Sequence, residues 1–142
     1  MKKTKNRTIA TRRPSFPKVN LDRTIKGLRR HRRWQVICGD KDHYRIGLYS
    51  PEVSSVNEIR EFEKHSCAEF FILLEGAVSL ALMTEIKGRQ KIRVVPLKPL
   101  QPLLVKTWHA GFCPEGAFTG LALVVERDEF MTWMKPKVLS KT

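Results

Sequence analysis

Three residues have types and spacing suited to shared chemistry. His65 and Glu69 stand four apart in Glu63-Lys-His65-Ser-Cys67-Ala-Glu69, and His109 follows later in the chain. Neutral imidazole ligates first-row divalent metals, and a carboxylate adds charge to such a set. Two imidazoles and one carboxylate leave coordination positions open for a water, for oxygen or for a chelating substrate. Glu63 stands two residues before His65, so on an extended strand both side chains leave the same face. Glu63 is therefore a candidate fourth ligand, or a general base beside the metal. A second carboxylate favours a harder ion such as Mn over Cu(I).

Cysteine offers a rival within the same stretch. Cys67 follows His65 by two and Cys113 follows His109 by four, which makes a His2Cys2 zinc site conceivable. Those spacings match no standard zinc motif, and free cysteines are commonly small buried hydrophobes. Without a metal, His65 would be satisfied at a strand end by Glu69, and His109 would hydrogen-bond within the protein. Other chemistries find no motif: there is no dinucleotide or phosphate-binding glycine loop and no Gly-x-Ser-x-Gly elbow. Ser66 neighbours His65 in sequence, so the two point to opposite faces of a strand, the wrong geometry for a nucleophile and its base. His31, inside an arginine run, and His43, at a strand start, are expected to face water.

The elements that must position these residues read as strands. Residues 1–19 carry charge, Pro14 and Pro17 and few apolar groups, and are expected to be unstructured or loosely docked. Asn20 is a plausible N-cap for a short amphipathic helix over about residues 21–31, with Leu21, Ile25 and Leu28 at helical spacing and Asp22 in the first turn. From Trp34 the pattern changes to alternation. Strands are expected around Trp34–Cys38 and Tyr44–Ser50 and, as a third, over residues 56–63. Phe70–Leu74 reads as a central strand, which Glu75-Gly76 turns back into Ala77–Met83. A hairpin at Lys87-Gly88 leads to Lys91–Val95. Leu103–Trp108 leads to His109, and Phe118–Val125 is the last buried strand. Short strands without helical patterns between them mean an all-β domain, closed or doubled into a barrel that protects its edges.

The run His65-x3-Glu69-x6-Gly76 resembles the second half of the first motif of the cupin superfamily, over roughly residues 43–125. The resemblance implies a jelly-roll barrel whose mouth often holds Mn, Fe, Ni, Zn or Cu. It implies that His65, Glu69 and His109 are ligands, with Glu63 where the family usually has a first histidine. Leu104 and Lys106 stand in place of the family's Pro-x-Gly, and Cys113 in place of its later asparagine. The tract Lys106-Thr107-Trp108-His109-Ala110 resembles the histidine segment of the ureidoglycolate lyase family. On that likeness Lys106 and His109 would face a small carboxylate or ureido substrate, as a cation and an imidazole suit.

Charge divides the chain. Residues 1–33 hold thirteen of the 27 Lys and Arg against Asp22 alone, while the remainder is nearly neutral. The expected organisation is a basic N-terminal arm with its helix (1–33), a cupin-like barrel (34–134) and a loose C-terminal tail (135–142). A basic arm can meet phosphate backbones or anionic membranes, but it has only Phe16 to stack on bases, so nucleic-acid binding ranks below the other functions. Three cysteines argue against a disulfide framework, and the basic start lacks a secretory apolar segment, so a cytoplasmic protein is expected, with no membrane span. The leading functional expectation is a divalent-metal enzyme of lyase, isomerase or oxygenase type acting on a small polar, oxygen-rich molecule. A metal-free small-ligand module is the alternative. The resemblance also implies a homodimer.

Overall fold

Alternating apolar and polar residues produce eleven strands among the described residues. The computed structural model describes residues 6–11, 20–31 and 33–139, without the side chains of Leu21, Arg29, Arg30 and His31. Of the loose leader expected over residues 1–19, residues 1–5 and 12–19 lie outside the described residues, as do the side chain of His31, expected to face water, and residues 140–142 of the expected tail. The elements are β1 (Arg7–Thr11), α1 (Leu21–His31), β2 (Trp34–Asp40), β3 (Tyr44–Tyr49), a 3-10 turn (Val56–Glu58), β4 (Glu61–His65), β5 (Glu69–Glu75), β6 (Ser79–Ile86), β7 (Arg89–Pro96), β8 (Leu103–Val105), β9 (Trp108–Phe112), β10 (Leu121–Arg127) and β11 (Phe130–Pro136).

Two antiparallel sheets face each other. One runs β1-β11-β4-β9-β6-β7 and the other β2-β3-β10-β5-β8. The eight strands β3 to β10 supply β3-β10-β5-β8 to one sheet and β4-β9-β6-β7 to the other. That is the double Greek key of a jelly roll, in which successive strands mostly alternate between sheets. Its interior is filled at one end by Phe71, Val78, Leu80, Val105 and Val124. A second cluster, Ile59, Phe62, Met83 and Phe112, lies on the other face of the six-stranded sheet. A third, Leu28, Leu48 and Leu121, lies between α1 and the outside of the five-stranded sheet.

The helix forms as its sequence directs. Asn20 Oδ1 accepts a hydrogen bond from the Arg23 N–H at 3.0 Å, capping the first turn, and Leu28 is fully buried. No helix is long and apolar enough among the described residues to cross a membrane.

Four expectations change. Arg7–Thr11 is a strand, paired with β11 in the register Ile9↔Thr132 and tied at its start by Arg7 to Glu61 at 2.8 Å. The third strand is not continuous over 56–63. Val56 and Ile59, three apart, both pack in the cluster outside the six-stranded sheet, a spacing that suits a helical turn. The Glu58 carboxylate accepts the Ser54 N–H there, and extended pairing begins only at Glu61. Glu75-Gly76 does not close a hairpin, because β5 and β6 belong to different sheets. Gly76, at φ 65°, turns the corner where a Cβ would stand 2.5 Å from the Thr119 carbonyl oxygen. Finally, residues 135–138 are docked: Lys135 and Pro136 lie in β11, the Lys137 N–H donates to Arg60 O, and the Val138 N–H donates to Gln90 Oε1.

Candidate metal centre

Strand register brings the charged side chains to one end of the barrel interior. On the six-stranded sheet Glu63 pairs with His109 across β4 and β9, and His65 pairs with Thr132 across β4 and β11. On the five-stranded sheet Arg45 pairs with Glu126 across β3 and β10. Val125 is opposite Phe70, so the next step of the same ladder sets Glu126 opposite Glu69. Side chains alternate along strands, so all of these reach the same interior. They line a cavity of about 380 Å³, together with Trp34, Tyr49, Phe71 and Phe130. A smaller cavity of about 200 Å³ shares Arg33, Tyr49, Glu63 and His109 as a common wall.

Both imidazoles are held from behind. His109 Nδ1 donates to the Thr107 carbonyl at 3.0 Å, and His65 Nδ1 lies 2.8 Å from Thr132 Oγ1. Their Nε2 atoms therefore face inward, toward the same carboxylate: His65 Nε2 is 3.3 Å from Glu69 Oε1 and His109 Nε2 is 2.7 Å from Glu69 Oε2. The rings meet edge to face with centroids 5.6 Å apart, and Phe130 and Phe71 pack edge-on against His65 and His109. Glu63 Oε1 stands 3.7 Å from His109 Nε2.

The approach of His109 Nε2 to Glu69 Oε2 is close but out of line for a hydrogen bond. Both atoms are buried and have no hydrogen-bond partner among the described residues. With Nδ1 spending its proton on a carbonyl, neutral His109 presents a bare lone pair to an oxygen lone pair. Such a contact is tolerable only with a proton on Nε2 or a cation between the two. An outer Nδ1 bond with an inward Nε2 is the arrangement that orients metal-ligating histidines. Glu63, His65 and His109 each offer a ligand atom within 4.8 Å of the others, and so do His65, Glu69 and Glu126. These donors fit a divalent cation.

Burial opposes charge on these groups, and their neighbours override it. His109 is disfavoured as a cation by burial, yet the Glu69 contact, the Glu69 charge and the Glu63 charge push it up to about 9. Burial works to raise Glu69, but His109 and then His65 hold its carboxyl well below the usual range. For Glu126, burial and the Glu69 charge outweigh Arg45 and push it up to about 7. Burial raises Tyr49 well above its ordinary value, so its phenol stays protonated at the cavity wall.

Of the residues expected at the site, His65, Glu69, His109 and Glu63 converge. The thiolate alternative does not assemble. Cys113 is buried in the interior apolar cluster with its Sγ against the Gly120 carbonyl, and neither it nor Cys67 lines the cavity. Lys106 is exposed and is also absent from the lining, so it does not face the site as expected. His43 is exposed, as expected.

Arg45 and Glu126 are the pair that sequence reasoning missed. Arg45 Nε donates to Glu126 Oε1 at 2.7 Å and Arg45 Nη2 lies 2.6 Å from the same oxygen, with side chains only 10% and 3% exposed. The guanidinium also lies over the Phe130 ring at 4.9 Å and the Trp34 ring at 5.6 Å. A signal was available: the inward alternation Ala122, Val124 continues to Glu126, which places a charge at a core position of a buried strand.

No family model matches the chain, and no curated protein matches its sequence. Among solved structures it is similar to a cupin-2 domain-containing protein from Shewanella frigidimarina, at 17% identity over 84% of this chain and 94% of that one, with a TM-score of 0.47. A Bacillus halodurans protein gives 18% identity over 94% and 92%, with a TM-score of 0.49. The hydroxypropylphosphonic acid epoxidase of S. wedmorenis gives 15% over 66% of this chain and 49% of that one, with a TM-score of 0.46. The strand order of this chain's own two sheets makes its fold a double-sheet jelly-roll barrel.

Proposed function

We propose that this chain binds a divalent metal through His65, Glu69 and His109 and acts on a small polar, oxygen-rich molecule held in the adjoining cavity. The observation that supports this reading is the pair of buried, partnerless atoms, His109 Nε2 and Glu69 Oε2, 2.7 Å apart. A bound divalent ion supplies Lewis acidity toward an oxygen of the substrate. The chain's own residues do the rest. Thr107 O and Thr132 fix the two rings, Phe71 and Phe130 pack edge-on against them, and Glu63, less buried at 28% side-chain exposure, is the candidate general base beside His109. A lyase, isomerase or oxygenase reaction fits such a site.

The test is metal analysis of protein purified without chelators or an affinity tag that binds metal. Wild type should carry close to one equivalent of a divalent ion (Mn, Fe, Ni or Zn), and His65→Ala and His109→Ala should each lose most of it. Full retention of metal by both variants would refute the reading.

A second reading has its own support: His109 is raised to about 9, and a protonated His109 facing an ionised Glu69 is an attractive charge pair that needs no metal. The barrel would then be a metal-free binding module, and the same analysis would find no stoichiometric ion in wild type.

A further inference from the structure

We propose that Glu126 is a further ligand of the cation at this centre, oriented by Arg45, so that the site selects an oxygen-preferring ion such as Mn(II) over Zn(II). This rests on the metal-binding reading above and adds a residue from the other sheet. Glu69 and Glu126 stand one residue beyond the paired Phe70 and Val125 on neighbouring strands, on the same inward face, with side chains 6% and 3% exposed. Like charges directly opposite in a ladder destabilise it, and more so out of water. Arg45 engages Glu126 through a single oxygen, Oε1, with both Nε and Nη2.

One ligand atom each from His65, Glu69 and Glu126 lies within 4.8 Å of the other two, a span that ligands of one ion can occupy. His65 belongs equally to the group formed with Glu63 and His109, so the two sets meet on one imidazole. A centre with two histidines and up to three carboxylates is oxygen-rich, and such donor sets suit Mn and Mg better than softer ions. Arg45 is itself pinned between Trp34 and Phe130, which leaves Glu126 little freedom to turn away.

The experiment titrates Mn(II) and Zn(II) separately into the metal-stripped full chain. Free Mn(II) is read by electron paramagnetic resonance and Zn(II) by competition with a chelating dye, and the melting temperature of each metal-free protein is recorded. Glu126→Gln should weaken Mn(II) binding by about 100-fold and Zn(II) binding by less than about tenfold, and Arg45→Gln should weaken Mn(II) by about tenfold. If Glu126→Gln melts early in the metal-free state, the paired replacement Arg45→Met with Glu126→Leu removes both charges together and should show the same Mn(II) loss. Unchanged Mn(II) affinity in the folded variants overturns the proposal and leaves Glu126 as a partner of Arg45 alone. In that case a loss of both ions in His65→Ala still upholds the metal centre. A wild-type protein that takes up neither ion overturns both.

Discussion

The two walls of the cavity are built differently. The six-stranded wall presents His65 and His109, each fixed through Nδ1 by a group close behind it, and Glu63 from the same strand as His65. The five-stranded wall presents Arg45, Glu126 and Glu69 in one row across three strands. The first wall holds its donors by local contacts, and the second balances charge against charge across the sheet. Glu69 joins them, because it extends from the acidic wall to both imidazoles.

Breaking that junction should have the largest effect. Glu69→Gln keeps the shape but removes the charge that both rings face, and it should weaken metal binding by at least about 100-fold, more than the loss of an outer-shell partner. Calorimetric titration with Mn(II) checks this, and an affinity within threefold of wild type would separate Glu69 from the site.

The next effect is on the pH dependence of the metal-free protein. His109 is raised from 6.5 to about 9 in the fold, so its contribution is fully present below about 6.5 and is lost as pH rises through about 9. Glu69 is held below 4.5, so its contribution is present above that value and is lost as pH falls. Stability from this contact should therefore be greatest between about 4.5 and 6.5 and should decline toward alkaline pH by on the order of 3 kcal/mol. Urea melts of wild type and His109→Gln across pH 5–10 test it: the alkaline decline should flatten in the variant.

A smaller effect should follow at Phe130, which touches both walls, ring against ring with His65 and beneath Arg45. Phe130→Leu should cost about 1 kcal/mol from the lost cation–π contact, and more from lost packing. Its melting temperature should fall while Mn(II) binding changes less than in Glu126→Gln. Least affected should be Lys106→Ala: the residue is exposed and away from the cavity lining, so stability should change by less than about 0.5 kcal/mol. Metal affinity should stay at the wild-type value, and a marked loss would mean that Lys106 reaches the site.

The histidine wall was the legible one. Glu63 and His65 share a face because they are two apart on a strand, and Glu69 begins the next strand only four residues later. His109 had to be supplied by resemblance, since nothing local ties it to residues in another strand. The acidic wall was hidden for a physical reason. On β3, Leu48 packs outward against α1, while Arg45 and Tyr49 line the cavity. A strand buried on both faces does not announce which face is the interior.

The sequence by itself determined the strands that alternation marks, the capped helix and the short-range relation of Glu63, His65 and Glu69, because these depend on backbone periodicity and capping within a few residues. Only the tertiary structure decided that Arg7–Thr11 would close the sheet beside β11, that Glu126 would face Glu69 and that Cys113 would be buried away from the cavity. Those outcomes depend on which strands become neighbours and in what register. Pairing between distant strands is settled by packing the whole barrel at once.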